Sequence, residues 1–154
     1  MPHTHETLEK MAEQIFELSR LASLARSRKP AGPVELTDSE FLTLDLLAKH
    51  EPLTIGEAQK AIGVVPAQMS RIIRALEDRE GGGYIKCSIN LHDRRRIDVV
   101  LTDRGKQAHK KYREIRLGSI TETLSILPPE DRVEFLRILG LIQGHIERSL
   151  QGDS

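Results

Sequence analysis

The sequence has few aromatics, almost no cysteine and no excess of either charge. Aromatic residues make up 3% of its 154 positions, tryptophan is absent, and Cys87 is the single cysteine. Without large aromatics the core has to be built from Leu, Ile, Val and Ala, the usual stock of packed helices. A lone cysteine excludes an internal disulfide framework and fits a cytoplasmic setting. No stretch approaches the roughly 18 uninterrupted apolar residues of a membrane span. Met1 to Lys10 has no apolar run behind a basic start, so it does not read as a secretory signal. The formal net charge is zero, which argues against a nucleic-acid binder of the bulk-basic kind.

The signatures of catalysis are missing as well. His3, His5, His50, His92, His109 and His145 include no pair with zinc-ligand spacing and a third ligand nearby. His3 and His5 read as part of a mobile terminus. Gly81-Gly82-Gly83 lacks the Lys and Ser/Thr that follow a phosphate-cradling loop. No nucleophile, base and orienting residue assemble from local motifs. Neither an enzyme, nor a cofactor, nor a metal is expected.

The neutral total hides an uneven distribution. From Pro66 to Arg96 seven basic residues stand against four acidic ones, and from Ser119 to Ser154 three stand against six. Any anionic partner should therefore meet the middle of the chain. At this length one domain with a substantial core is expected.

Leu8, Met11, Ile15, Leu18, Ala22 and Ala25 are spaced three and four apart, the seam of a coiled-coil-like helix over residues 4–28. Pro30-Ala31-Gly32-Pro33 reads as a linker. Thr37-Asp38-Ser39-Glu40 and Thr54-Ile55-Gly56-Glu57 are capping boxes that open a second and a third helix, the latter ended by Gly63. Pro66 suits the first position of a fourth helix, with Met69, Ile72, Ile73 and Leu76 along one side. Strands are expected at 84–89 and 97–101, joined by the basic tip Leu91-His92-Asp93-Arg94-Arg95-Arg96. Thr102 caps a long fifth helix carrying Ala108, Tyr112, Ile115, Ile120 and Leu124. Pro128-Pro129 then precedes a last helix with Phe135, Leu139, Ile142, Ile146 and Leu150 on one face. The apolar end helices flank a middle with its own core, so they either pack on a second copy of the chain or fold back over that middle.

Two capped helices, a tight turn, a third helix with polar outward positions and a basic hairpin make a winged helix-turn-helix. A B-DNA major groove admits one helix, whose first turns would point Pro66, Ala67, Gln68, Ser70 and Arg71 at the bases, with Arg74 beside them. Gln68 is suited to adenine, and Arg71 to guanine or a phosphate. Three adjacent arginines, Arg94, Arg95 and Arg96, repel one another without an anionic partner, and the narrow minor groove of A·T-rich DNA is one. Asp93 is placed to buttress Arg95.

Asp93-Arg94-Arg95, then Val99, Leu101-Thr102 and Gly105, resembles the wing signature of the MarR (multiple antibiotic resistance regulator) family in order and spacing. Leu36-Thr37, Thr54-Ile55-Gly56-Glu57-Ala58, Ser70-Arg71 and Leu76-Glu77 are similar to it too. The resemblance implies a mainly α fold with a small β-hairpin wing in one domain over 1–154. The winged-helix lobe would span 36–105, with dimerisation helices at 4–28 and 106–150. It further implies a homodimer on a pseudo-palindromic operator of double-stranded DNA, usually as a repressor. A small aromatic or phenolic effector would bind where the first, second and fifth helices meet, with Phe16, Phe41 and Tyr112 as candidate liners. Gly81-Gly83 departs from the family pattern by lengthening the connection into the wing, which should free the wing to move. Cys87 lies on a wing strand, not near the N-terminus as in the family's peroxide sensors, and reads as buried and inert. Two competing readings remain open: an interaction module of the same fold that does not read DNA, and a metal or redox switch through Cys87 or the histidines.

Overall fold

The computed structural model describes residues 2–28 and 32–152. Pro30 and Ala31 of the expected linker and the side chain of His3 lie outside the described residues. The elements are α1 (Pro2–Arg28), α2 (Asp38–Lys49), β1 (Leu53–Thr54), α3 (Ile55–Ile62), α4 (Pro66–Glu77), β2 (Ile85–Ile89), β3 (Ile97–Leu101), α5 (Asp103–Leu124) and α6 (Pro129–Gly152). The fold is mainly helical with a small antiparallel sheet, a winged helix-turn-helix as the sequence patterning predicts.

Both capping boxes form. Thr37 Oγ1 accepts from the Glu40 backbone N–H at 3.2 Å while the Glu40 carboxylate accepts from Thr37 N–H at 2.9 Å. Thr54 and Glu57 repeat the exchange at 3.2 and 2.8 Å. Each exchange satisfies N–H groups that a helix start leaves without a partner. Gly63 closes α3 in the left-handed region at φ 74°, a conformation that costs a residue with a Cβ. Pro66 occupies the first turn of α4.

The sheet has the order β1-β3-β2. β1 was not expected. Its two residues pair Leu53 with Val99 and Thr54 with Asp98, a strand too short to show any periodicity. β2 and β3 pair Ile85 with Leu101, Cys87 with Val99 and Ile89 with Ile97.

The core sits between α2, α3, α4, the hairpin and the start of α5. Leu44, Leu47, Ala58, Met69, Leu76 and Val99 are wholly buried. Each large side chain among them contributes about 1.5–3 kcal/mol by leaving water. Ala108 of α5 also belongs to this core, so the winged-helix unit runs slightly past residue 105. None of the described α1 side chains is buried, and α6 buries none either. The end helices therefore do not fold back over the middle. Leu8, Ile15, Leu139 and Ile146 stand 59, 59, 42 and 52% exposed.

Candidate nucleic-acid interface

The helix α4 is held by its apolar side and presents its polar one. Met69, Ile72, Ile73 and Leu76 are buried, and the 3.6-residue period leaves Ala67, Gln68, Ser70, Arg71 and Arg74 exposed with Pro66 at the helix start. Ser70 Oγ donates back to the Pro66 carbonyl at 3.0 Å, so its hydroxyl hydrogen is used within the helix and only its lone pairs face outward. Among the described residues, neither Arg71 nor Arg74 has an ion-pair partner.

The wing tip is a fixed turn. Asn90 Oδ1 accepts from the backbone N–H groups of His92 and Asp93, both at 2.9 Å. Its amide nitrogen donates to both Asp98 oxygens at 3.0 and 2.9 Å. Asp93 Oδ1 accepts from Arg95 N–H at 3.0 Å and lies 3.5 Å from Arg95 Nε, the buttress that the sequence suggests. The Arg95 side chain remains 94% exposed. Arg96 behaves differently from its two neighbours. Its guanidinium donates to Glu57 Oε1 at 2.9 Å, tying the wing to α3 across a cleft of about 530 Å³. The Glu57 carboxyl is held below its usual range, first by the backbone N–H of Thr54, then by the Thr54 hydroxyl, with Arg96 adding to both. Of the three wing arginines, Arg94 and Arg95 are thus the two that project without an acidic partner on another element among the described residues.

The lengthened entry into the wing is tied down at its far end. Tyr84 N–H donates to the Leu76 carbonyl at 2.7 Å, and Thr102 N–H donates to the Tyr84 carbonyl at 3.1 Å. Thr102 Oγ1 donates to the Gly83 carbonyl at 2.7 Å. The Arg104 guanidinium donates to the Gly82 carbonyl. Arg79 and Arg104 both lie over the Tyr84 ring, 5.3 and 5.0 Å from its centroid. Gly81 and Gly82 take positive φ values of 82° and 116°, which explains glycine at those two positions. The expected freedom of the wing is countered by this anchorage.

The sequence profile of the MarR family matches residues 36–97, the stretch that carries α2, α3, α4 and most of the wing. Over that stretch the chain is similar to the MarR family. Family members are transcription regulators, not enzymes. A relative, the HTH-type transcriptional repressor Rv2887 of Mycobacterium tuberculosis, is 27% identical over 126 residues, covering 80% of this chain and 88% of that protein. RV1404 of M. tuberculosis shares the fold with a TM-score of 0.70 at 22% identity, over 90% of this chain and 92% of that one. Streptococcus pneumoniae FabT, solved in complex with DNA, gives a TM-score of 0.67 at 17% identity over 94% and 98% of the two chains.

The three candidate effector liners do not converge. Phe41 and Tyr112 lie 4.9 Å apart between ring centroids, and His109 stacks on Phe41 at 5.5 Å. Phe16 stands on α1, 75% exposed. A cleft of about 620 Å³ opens beside Tyr112, between the end of α1, the middle of α5 and the start of α2. Arg26, Arg79 and Arg116 all reach its wall, together with Thr37 and Asp38. Arg79 also pairs with Glu40 at 2.9 Å, and its Nε is buried with no hydrogen-bond partner.

Besides Glu57–Arg96, two links between elements were not readable in advance, because their partners lie 39 and 64 residues apart. One is the Glu40–Arg79 pair. The other is His109 Nε2 to Asp45 Oδ1 at 2.9 Å, joining α5 to α2. Burial pushes the Asp45 carboxyl up, but the hydrogen bonds and charges of Lys49 and His109 outweigh it and hold the group below its usual range. The Cys87 thiol is pushed up to about 11, first by burial and then by the Glu77 carboxylate, which fits an inert strand cysteine. Among the described residues no cluster of three or more His, Cys, Asp or Glu could hold a metal ion. No helix among them is long and apolar enough to cross a membrane.

Proposed function

We propose that the chain is a DNA-binding repressor acting as a homodimer on a pseudo-palindromic operator. The α4 helix enters the major groove and the wing the adjacent minor groove. The observation that carries the reading is the set of exposed, unpaired cations Arg71 and Arg74 on a helix whose other face is buried, with Arg94 and Arg95 on a fixed hairpin tip. Cations held out in this way lower their energy by displacing counterions from phosphate. Base reading falls to Gln68 and Arg71 near the helix start; Pro66, Ala67 and Ser70 shape the approach. Arg96, already paired with Glu57, orients the wing. The relative Rv2887 is itself named a repressor, and FabT was solved on DNA.

Residues 4–28 and 106–150 supply the dimer contact. Their apolar faces, left open in one chain at Leu8, Ile15, Leu139 and Ile146, are what a second copy of the chain would cover. The cleft beside Tyr112 takes a small aromatic or phenolic effector, with Arg26, Arg79 and Arg116 supplying positive charge. Effector binding there would couple α1 and α5 to the lobe. Such a protein works where the DNA is, in the cytoplasm of a bacterial cell.

The test is selection from random duplex DNA followed by two variants. A palindromic consensus is expected. Arg71→Ala should weaken operator binding and flatten the difference between operator and scrambled duplex, since one bidentate base contact is worth about 1–3 kcal/mol of discrimination. Arg95→Ala should weaken both and reduce the salt slope, by up to about two phosphate equivalents in a dimer with two wings. Weak binding that ignores salt, or two variants that bind like the parent, would instead favour an interaction module.

A further inference from the structure

The hairpin carries an apolar ridge that runs beyond the core it helps to build. Alternation along a strand places Ile85, Cys87 and Ile89 on one face, opposite Leu101, Val99 and Ile97. Ile85, Leu101 and Val99 are buried in the domain. The next pair leaves it, with Ile89 65% and Ile97 44% exposed, and the ridge ends at Leu91, 94% exposed on the turn. The turn does not need that side chain. Its closure rests on the Asn90 side chain and on the backbone bonds Asn90 N–H to Arg96 O and Arg96 N–H to Asp93 O, both 2.9 Å. A leucine therefore stands out in water on a turn that closes without it.

We propose that Leu91 is an apolar wedge that enters the DNA minor groove beside Arg95 and makes affinity depend on the shape of the groove. The inference rests on the DNA-docking reading above. What meets this tip must accept two things at once. It must take positive charge, because Arg94 and Arg95 stand on the same turn as the leucine and the one acidic side chain of that turn, Asp93, is turned onto Arg95. It must also take a narrow apolar edge. A minor groove about 6 Å wide offers phosphates along its rims and apolar deoxyribose faces within. The two-stranded body of a hairpin is too wide for that groove, so only side chains at its tip can enter. Leucine is one of the side chains that can press into a base step and open it, most readily at flexible pyrimidine–purine steps. The guanine amino group projects into the minor groove and obstructs such a wedge. Leu91 thus discriminates among sequences by contact with sugars and base edges, without a hydrogen bond.

The test measures binding of the full chain to its selected operator by fluorescence anisotropy, for the parent, Leu91→Ala and Leu91→Met. Because residue 91 is exposed, all three should fold alike by circular dichroism. Leu91→Ala should bind about tenfold more weakly, the effect of exposing an apolar side chain that had been buried, with the parent's salt slope. Leu91→Met should keep most of the affinity. Replacing guanine by inosine under the wing removes the minor-groove amino group and leaves the major-groove face unchanged. The parent should then bind more tightly, and Leu91→Ala should gain little. Parent-like affinity of Leu91→Ala overturns the proposal, as does a loss that comes with a shallower salt slope. A self-association of the DNA-free protein that Leu91→Ala abolishes in sedimentation also overturns it, since the ridge would then be a protein contact. If the parent selects no duplex at all, the DNA-docking reading falls and the wedge with it.

Discussion

Replacing Gly105 by alanine should loosen the wing from its root, and the geometry sets the cost. A Cβ at Gly105 would lie 1.9 Å from the Tyr84 carbonyl oxygen and 2.8 Å from its carbon, whereas real Cβ contacts stay beyond 3.0 Å. Both neighbours are backbone, so no rotamer change relieves the clash. Helix α5 or the Tyr84 segment must move by about an ångström. Crowding of this kind costs about 1–3 kcal/mol. The movement also strains the bonds from Thr102 N–H to Tyr84 O, 3.1 Å, and from Thr102 Oγ1 to Gly83 O, 2.7 Å, each worth about 1 kcal/mol. A total near 3 kcal/mol lowers the melting temperature by roughly 6–12 °C in a chain of this size. Thermal unfolding followed by circular dichroism reads it directly. Gly118→Ala is the control, because nothing lies within 4 Å of a Cβ there. In mid-helix it should gain about 0.5–1 kcal/mol. A Gly105→Ala protein that melts with the parent would refute the account of the wing root.

Arg79→Ala leaves Glu40, 8% exposed, without its cation. Chemical denaturation should show a loss of about 2 kcal/mol, below the usual cost of breaking a buried pair, because Glu40 keeps the bond from Thr37 N–H and Arg79 is 27% exposed. The lowered Asp45 carboxyl binds fewer protons folded than unfolded, so its contribution is complete above the ordinary aspartate value of about 4 and is lost as pH falls through the folded value. Asp45→Asn should therefore flatten the acid limb of the stability curve between about pH 5 and 3, measured by urea midpoints; an unchanged limb would remove Asp45 from the account. Cys87, with its thiol pushed up to about 11, should resist a maleimide at neutral pH in the native protein and react promptly in urea.

The local chemistry of this chain was readable from its sequence. Capping boxes at Thr37 and Thr54, the left-handed glycine at Gly63 and the proline opening α4 are decided within four residues, and each formed where the residues indicate. The division of α4 into a buried and an exposed side follows from its helical period, so the candidate DNA readers were legible too. Cooperation between distant residues was not. Nothing near Arg96 reveals that it pairs with Glu57, and nothing near Gly83 or Gly105 reveals that a backbone passes within reach of a Cβ. Phe16 carries the same apolar signal as Phe41, yet only Phe41 meets Tyr112. Periodicity specifies which face of a helix is apolar, but what that face packs against depends on chain topology and on space already filled by other elements. That is why the sequence determined the elements and the polarity of their faces, while the tertiary structure alone decided which arginines are spent inside the fold and which remain free for a partner.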